Sequence, residues 1–277
     1  MIYNPYRIEA PGIVSFSGGR TSAFMLAKVV EAYGGALPPD IVPVFCNTGL
    51  EHAATYAFVA EVSKRIAPVV WLEYRRTESG PSFAEVSETT YSRNGEPFTA
   101  MIKAHNYLPN PVTRKCTSEL KIRTSNRWAK ERGWTEYTNA IGLRADELRR
   151  VAKLRGDTKS ENAVAPMAEA GHTLEDVLDY WSRQDFDLEL PNGDNAFGNC
   201  TLCFLKSRER LLRVMRQEPE LAQWWIDMEN LGLSSKPEGG RFRCDRPSYA
   251  GLLEISKTQQ MMFPDVEEDT ISCACTD

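Results

Sequence analysis

Two groups of residues in this 277-residue chain have types and spacings suited to chemistry. The first is the run Ser15-Phe16-Ser17-Gly18-Gly19-Arg20-Thr21-Ser22. Two adjacent glycines permit close backbone approach, and hydroxyls with an arginine supply donors that suit a phosphate. The spacing is not that of the GxxxxGK[ST] loop, because the lysine and the wider glycine interval are absent. The second group is the cysteines. Cys200 and Cys203 form a CxxC and Cys273 and Cys275 a CxC, while Cys46, Cys116 and Cys244 stand alone. Cys116 follows Arg114 and Lys115, a cationic setting that favours thiolate, whereas Cys46 ends an apolar stretch and reads as a core thiol. A CxxC serves as a redox pair, as half a zinc site or as iron–sulfur ligands.

The elements that must position these groups follow from patterning. Residues 12–16, 41–46 and 69–74 read as short buried strands, with helices between them over 21–32 and from the Asn47-Thr48-Gly49 turn to Arg65. That alternation implies a parallel sheet with right-handed crossovers and a ligand at the carboxyl ends of its strands. Residues 75–115 show no sustained period and are expected to form an irregular lid or insertion. A helix is expected over 117–133 and a strand over 136–141, and Thr173 opens a helix through a Thr-x-x-Asp cap. Helices are expected again over 206–217, 219–231 and 247–260. The division predicted is a nucleotide-binding core, 1–164, and a smaller helical, cysteine-bearing region, 165–277.

Composition sets outer limits. With 42% hydrophobic and 26% charged residues the chain is an ordinary globular one, and no apolar run is long enough to cross a membrane. The first residues lack a basic start and apolar stretch, so a cytoplasmic protein is expected. Lys and Arg total 33 against 38 Asp and Glu, a net charge of −5, which disfavours a generic nucleic-acid coat. A local basic surface is still compatible with that balance: Lys206, Arg208, Arg210, Arg213 and Arg216 form either a solvated face or a seat for a phosphate-rich partner.

Taken in order along the chain, several segments resemble one superfamily. SFSGGRTS is similar to the PP-loop, SGGxxS, of the ATP pyrophosphatases and phosphoadenosine-phosphosulfate (PAPS) reductases. Asn47-Thr48-Gly49-Leu50-Glu51 resembles its DTGxE segment, Arg114-Lys115-Cys116 with Lys121 its RxC…K segment, and Ile141 to Glu147 its G(I/L)RxxE segment. Gly198-Asn199-Cys200-Thr201-Leu202-Cys203-Phe204 resembles the GNCxxCF segment of PAPS reductase-like proteins of phages and mobile elements.

The resemblance implies an α/β, adenine nucleotide alpha-hydrolase-like fold. ATP, or the phosphosulfates PAPS and APS, would be held by Ser15, Ser17, Gly18, Gly19, Arg20, Thr21 and Ser22, with Asn47, Thr48, Gly49, Gly142 and Arg144 around them. Arg144 would reach the phosphates from the opposite wall, the plainer reading being a solvated or ion-paired arginine. Thr21 and Asn47 stand where many members carry aspartates, so two carboxylates that could help hold Mg²⁺ are absent. A [4Fe–4S] cluster on Cys116, Cys200 and Cys203 is implied, with Cys244, Cys273, Cys275 or no fourth ligand. Zinc on the CxxC and CxC is the competing reading, and ligand-free thiols the third. Cys273 and Cys275 are the expected reacting thiols, although the ECG(I/L)H motif of assimilatory reductases is missing. The implied activities are sulfonucleotide reduction and thiolation of a nucleic-acid or nucleoside substrate, each needing a sulfur donor or reductant. A nucleotide-binding module with structural zinc is the alternative. Homo-oligomers are common in the family.

Overall fold

The computed structural model describes residues 3–156, 162–233, 236–237 and 239–258. Its sheet has six strands in the order β4-β3-β2-β1-β5-β6. These are β1 (Gly12–Ser15), β2 (Ile41–Asn47), β3 (Val70–Thr77), β4 (Gly80–Val86), β5 (Thr138–Ile141) and β6 (Ala163–Val164). All pairings are parallel except the β3–β4 hairpin. Strands β1 and β2, GIVS and IVPVFCN, are short apolar runs because helices cover both faces of a parallel sheet.

The crossovers are α1 (Arg20–Ala32) and α2 (Ala53–Arg65). Helix α1 buries Phe24, Met25, Leu26, Val29 and Val30, a helical spacing that fixes which side meets the sheet. Helix α2 starts where the His52 ring accepts from the Ala54 N–H at 3.1 Å.

Segment 75–115 corrects the expected irregular insertion. Strand β3 runs on to Thr77, turns over Glu78 and Ser79 and returns as β4, after which α3 (Glu96–His105) packs on β3. An edge strand with half-buried Phe83 and Val86 carries little apolar signal. The helical period of α3 was present in Phe98, Met101 and Ile102, but over only ten residues. The expected helix over 117–133 is a π-helical turn, Thr117–Ile122, continued by α4 (Arg123–Glu131).

Helix α5 (Leu148–Gly156) follows β5, and α6 (Pro166–Glu169) follows β6. The Thr173–Asp176 capping box opens α7 (Leu174–Ser182), as its sequence predicts. Beyond the CxxC lie α8 (Arg208–Gln217), α9 (Gln223–Asn230) and α10 (Tyr249–Thr258). A single apolar cluster reaches from Val14, Phe45 and Phe58 beside the sheet through Trp181 to Leu211, Trp225, Phe242 and Tyr249. The opposite face of the sheet packs Ile13, Val44 and Leu72 against Trp128 and Ala129 of α4.

Candidate functional site

From β1 the chain builds outward to β2 on one side and later to β5 on the other, so the strand order reverses beside β1. Loops that leave the carboxyl ends of strands at such a reversal diverge and leave a crevice for a ligand. Three of the singled-out segments leave the sheet at this edge: residues 16–22 after β1, 47–51 after β2 and 142–147 after β5.

The turn after β1 is shaped by Gly18, whose φ of +83° suits glycine. A Cβ there would lie 2.7 Å from the Thr55 methyl and 3.2 Å from Val59. Inside the turn the Ser17 and Ser22 hydroxyls are 2.9 Å apart, and Ser22 Oγ donates to the Gly19 carbonyl at 3.0 Å. Gly19, at the head of α1, offers no side-chain cap. The amides of the first turn are thus donors of the kind that receive a phosphate at a helix N-terminus. At the end of β1, Ser15 Oγ donates to Asn139 Oδ1 of β5 at 2.8 Å. Gly142 lets the next loop approach, since a Cβ would meet Ser22 Cα at 3.2 Å.

Arg144 faces this turn: its guanidinium donates to Thr21 Oγ1 at 3.3 Å. It also pairs with Asp146 at 3.1 Å, and its backbone N–H donates to Glu147 at 2.9 Å. Arg20 turns the other way. Its guanidinium grips Asp187 through two bonds of 2.7 and 2.8 Å and donates to the Leu188 carbonyl at 2.7 Å. Trp181 Nε1 donates to the Arg20 carbonyl at 2.9 Å. In this conformation Arg20 ties the 183–190 segment to the head of α1, and its side chain does not line the turn as a phosphate donor.

Asn47 is wholly buried. Its amide donates to Glu73 at 2.6 Å and to the Ser92 carbonyl at 2.8 Å, while Oδ1 accepts from the Gly49 N–H and the Tyr56 hydroxyl. Buried Glu51 closes the same turn, accepting from the Thr48 N–H and hydroxyl, the Leu50 N–H and Tyr56. Burial first, then the Glu51 carboxylate, pushes the Tyr56 phenol far above its ordinary value, so it is a fixed donor. Glu73 and Tyr56 are site residues that the motifs did not reveal; only folding brings them beside Asn47. Gly49 (φ +81°) is needed because a Cβ would sit 2.8 Å from the Gly95 amide nitrogen.

The CxxC lies against this turn. Cys200 and Glu51 form an antiparallel bridge, and the Thr201 N–H donates to the Leu50 carbonyl at 2.9 Å. Cys200 Sγ is 3.3 Å from Thr48 Oγ1 and 3.9 Å from Glu51 Oε1. Lys206 does not join a basic face: its ammonium donates to the carbonyls of Ala196, Gly198 and Thr201 at 2.7, 2.6 and 2.8 Å. Arg246 holds the carbonyls of Phe204 and Lys206 at 3.1 and 2.8 Å. Trp224 packs on Gly95, and Trp225 and Met228 are buried.

The metal expectation fares differently. Cys116 is half-buried at the start of the π-helical turn and Cys203 is buried. No three His, Cys, Asp or Glu side chains among the described residues are placed to hold a metal ion. The described thiols by themselves therefore do not fit a resident cluster. Cys273 and Cys275 lie outside the described residues. None of the described helices is long and apolar enough to cross a membrane.

No protein-family model matches the chain. Over 263 residues it is 30% identical to an uncharacterized nin region protein, ORF290, of Escherichia phage lambda, a match spanning 90% of this chain and 84% of that protein. Among solved structures, PAPS reductase from Candida auris in complex with phosphate aligns at 14% identity and a TM-score of 0.39, covering 65% of this chain and 79% of that one. The U34-tRNA thiolase NcsA from Methanococcus maripaludis, with its [4Fe-4S] cluster, aligns at 14% identity and a TM-score of 0.35, covering 98% of this chain and 84% of that one.

Proposed function

We propose that this chain, which belongs to the family of the nin region protein ORF290 of Escherichia phage lambda, is an adenine-nucleotide-using enzyme of the PP-loop, PAPS reductase-like type. Its chemistry would move sulfur, by sulfonucleotide reduction or by thiolation. The observation that carries this reading is the place of the SFSGGRTS turn at the strand reversal, with Arg144 reaching Thr21 from the β5 side and Cys200 beside Thr48. Backbone amides at the head of α1 and the Ser17 and Ser22 hydroxyls would take the phosphates, and Arg144 would neutralise charge that develops on them.

In reduction, a thiolate attacks the phosphosulfate sulfur, the sulfur–oxygen bond to the nucleotide breaks, and adenosine bisphosphate or monophosphate departs. Cys273 and Cys275 are proposed for that attack. In thiolation, an oxygen of the nucleic-acid or nucleoside substrate displaces pyrophosphate from ATP, and a sulfur nucleophile then displaces AMP. A metal centre on the thiols, iron–sulfur or zinc, would have to draw in Cys273 or Cys275. Iron, zinc and sulfide analysis of anaerobically purified protein tests that separately.

Asn47 favours a second reading, nucleotide binding without turnover. All four of its hydrogen bonds are made within the protein, so this position supplies no carboxylate to Mg²⁺. One assay set separates the two. Titration calorimetry with ATP, PAPS and APS should show binding that Ser17→Ala and Arg144→Gln weaken by about tenfold each. Sulfite release from PAPS or APS with a dithiol would establish reduction, and AMP with pyrophosphate from ATP plus a nucleic-acid acceptor would establish thiolation. Binding with neither product would leave the non-catalytic module, and no binding of any of the three nucleotides would overturn the proposal.

A further inference from the structure

Charge is unevenly placed in this acidic chain. Residues 103–132 hold eight Lys and Arg against two Glu, a net of +6, which leaves the rest of the chain at −11. The stretch is continuous in the fold: the end of α3, the loop to Cys116, the π-helical turn and α4. One of its two carboxylates, Glu119, is wholly buried, with Arg123 and Arg127 paired to it and His105 Nε2 3.5 Å away. It offsets only part of the local charge, because Arg76 and Lys115 also stand near enough to act on the His105 imidazole.

Helix α4 carries these cations across the back of the sheet. Trp128 and Ala129 pack on the strands, while Arg123 and Lys130, seven residues apart, share another face of the helix. Arg127, between them, turns in to Glu119. Lys130, Arg132 and Arg76 are exposed, and Arg123 stays 58% exposed despite its ion pair. The helix starts beside the carboxyl edge, where Cys46 Sγ near the end of β2 donates to the Lys121 carbonyl at 3.7 Å. At the opposite edge, just past its end, is a cleft of about 640 Å³ lined by Arg132, Trp134 and, from just before β2, Pro39 and Asp40.

That cleft has the chemistry of a base rather than of a bare phosphate. The Arg132 guanidinium lies over the Trp128 and Trp134 rings, 4.8 and 5.6 Å from their centres. An indole and a guanidinium are flat surfaces on which an unpaired base stacks, and a carboxylate such as Asp40 accepts from an exocyclic amine. We propose that α4 and this cleft form a binding surface for single-stranded nucleic acid, its phosphates along Arg76, Arg123 and Lys130 and one base in the cleft with Trp134 and Arg132. A duplex keeps its bases stacked on one another and could use the cations alone. An acidic polypeptide would find the same cations and nothing for the cleft. A strand laid this way leads toward the carboxyl edge, where the turns gather. The thiolation branch of the proposed function would there gain a seat for its acceptor; that consequence rests on that reading, and the binding does not.

Fluorescence anisotropy on the full chain tests this, with short labelled DNA and RNA strands of mixed sequence and the matching duplex, and without ATP, PAPS or APS. A single strand should bind, with log K falling against log salt at a slope of about −2, three phosphates at about 0.7 each. The tighter of DNA and RNA identifies the sugar. Lys130→Glu should weaken binding about tenfold and flatten the slope, whereas Lys257→Glu, the same change of net charge on α10, should alter neither. A folded Trp134→Leu protein should bind the strand about tenfold more weakly at an unchanged slope, and Arg132→Gln several-fold more weakly. Strand binding should survive Ser17→Ala and ATP binding should survive Lys130→Glu, so a failure here is distinct from a failure of nucleotide use. No strand bound, a duplex or polyglutamate bound as tightly as the strand, Lys130→Glu no weaker than Lys257→Glu, or binding indifferent to both Trp134→Leu and Arg132→Gln would each overturn the proposal.

Discussion

An aspartate at position 47 would have no proton to give to Glu73. The asparagine amide donates to that buried carboxylate and to the Ser92 carbonyl, and Glu73 accepts in addition from the Ser92 N–H and hydroxyl. Asn47→Asp would set two carboxylates against each other out of water. We expect it to cost about 3 kcal/mol, read as a lower urea midpoint at unchanged slope, and to loosen the Asn47–Glu51 turn. A variant as stable as the parent would show that Asn47 is not the hub described. The motif marked position 47 as a departure, but its reason lies 26 residues on in β3, where one sequence shows no contact. Arg20 makes the complementary point. Its type and place in the turn suggested a phosphate ligand, and only the fold brings Asp187 close enough to take its guanidinium.

At the scale of elements, strands and helices that alternate strongly were legible because both faces of the central strands are buried. The hairpin to β4 was not, because an edge strand is apolar on one side at most and its pairing with β3 sets its register. The cysteine turn was legible as CxxC but not as a clamped unit. Three carbonyls around the Lys206 ammonium and two around Arg246 hold residues 196–206 in a form their own sequence does not dictate. Lys206→Met should leave three carbonyls short of a donor and cost about 2 kcal/mol. It should also free Cys200 from Thr48, so that alkylation of Cys200 by a maleimide becomes several-fold faster. An unchanged alkylation rate in a destabilised variant would separate the clamp's part in stability from any part in placing the thiol.

For the whole molecule, the predicted boundary at 164/165 falls at the end of β6, yet the main apolar cluster continues across it from Phe58 and Trp181 to Trp225. Stability should therefore respond to groups on either side, and pH offers a probe. His105, held low by burial, is protonated in the unfolded chain first. Its contribution is complete above about pH 6.5 and is lost as pH falls. Burial raises Glu229 above 4.5, so its contribution has the opposite sense, complete below that value and lost as pH rises through the folded pKa. In chloride buffer, the His105→Gln protein should lose less urea resistance than the parent between pH 7.5 and 5.5; equal losses would contradict the assignment. The tie between Arg20 and Asp187 bears on ionic strength. With that guanidinium held by a carboxylate, and Arg144 shared between Asp146 and the turn, a nucleotide bound as proposed would meet mostly uncharged amides and hydroxyls, inside a chain of net charge −5. Few counterions are then exchanged on binding, and added salt screens repulsion as much as attraction. Between about 0.05 and 0.3 M chloride the nucleotide Kd should rise by no more than the several-fold that the one cation Arg144 accounts for, where a turn built on several free cations would lose affinity steeply.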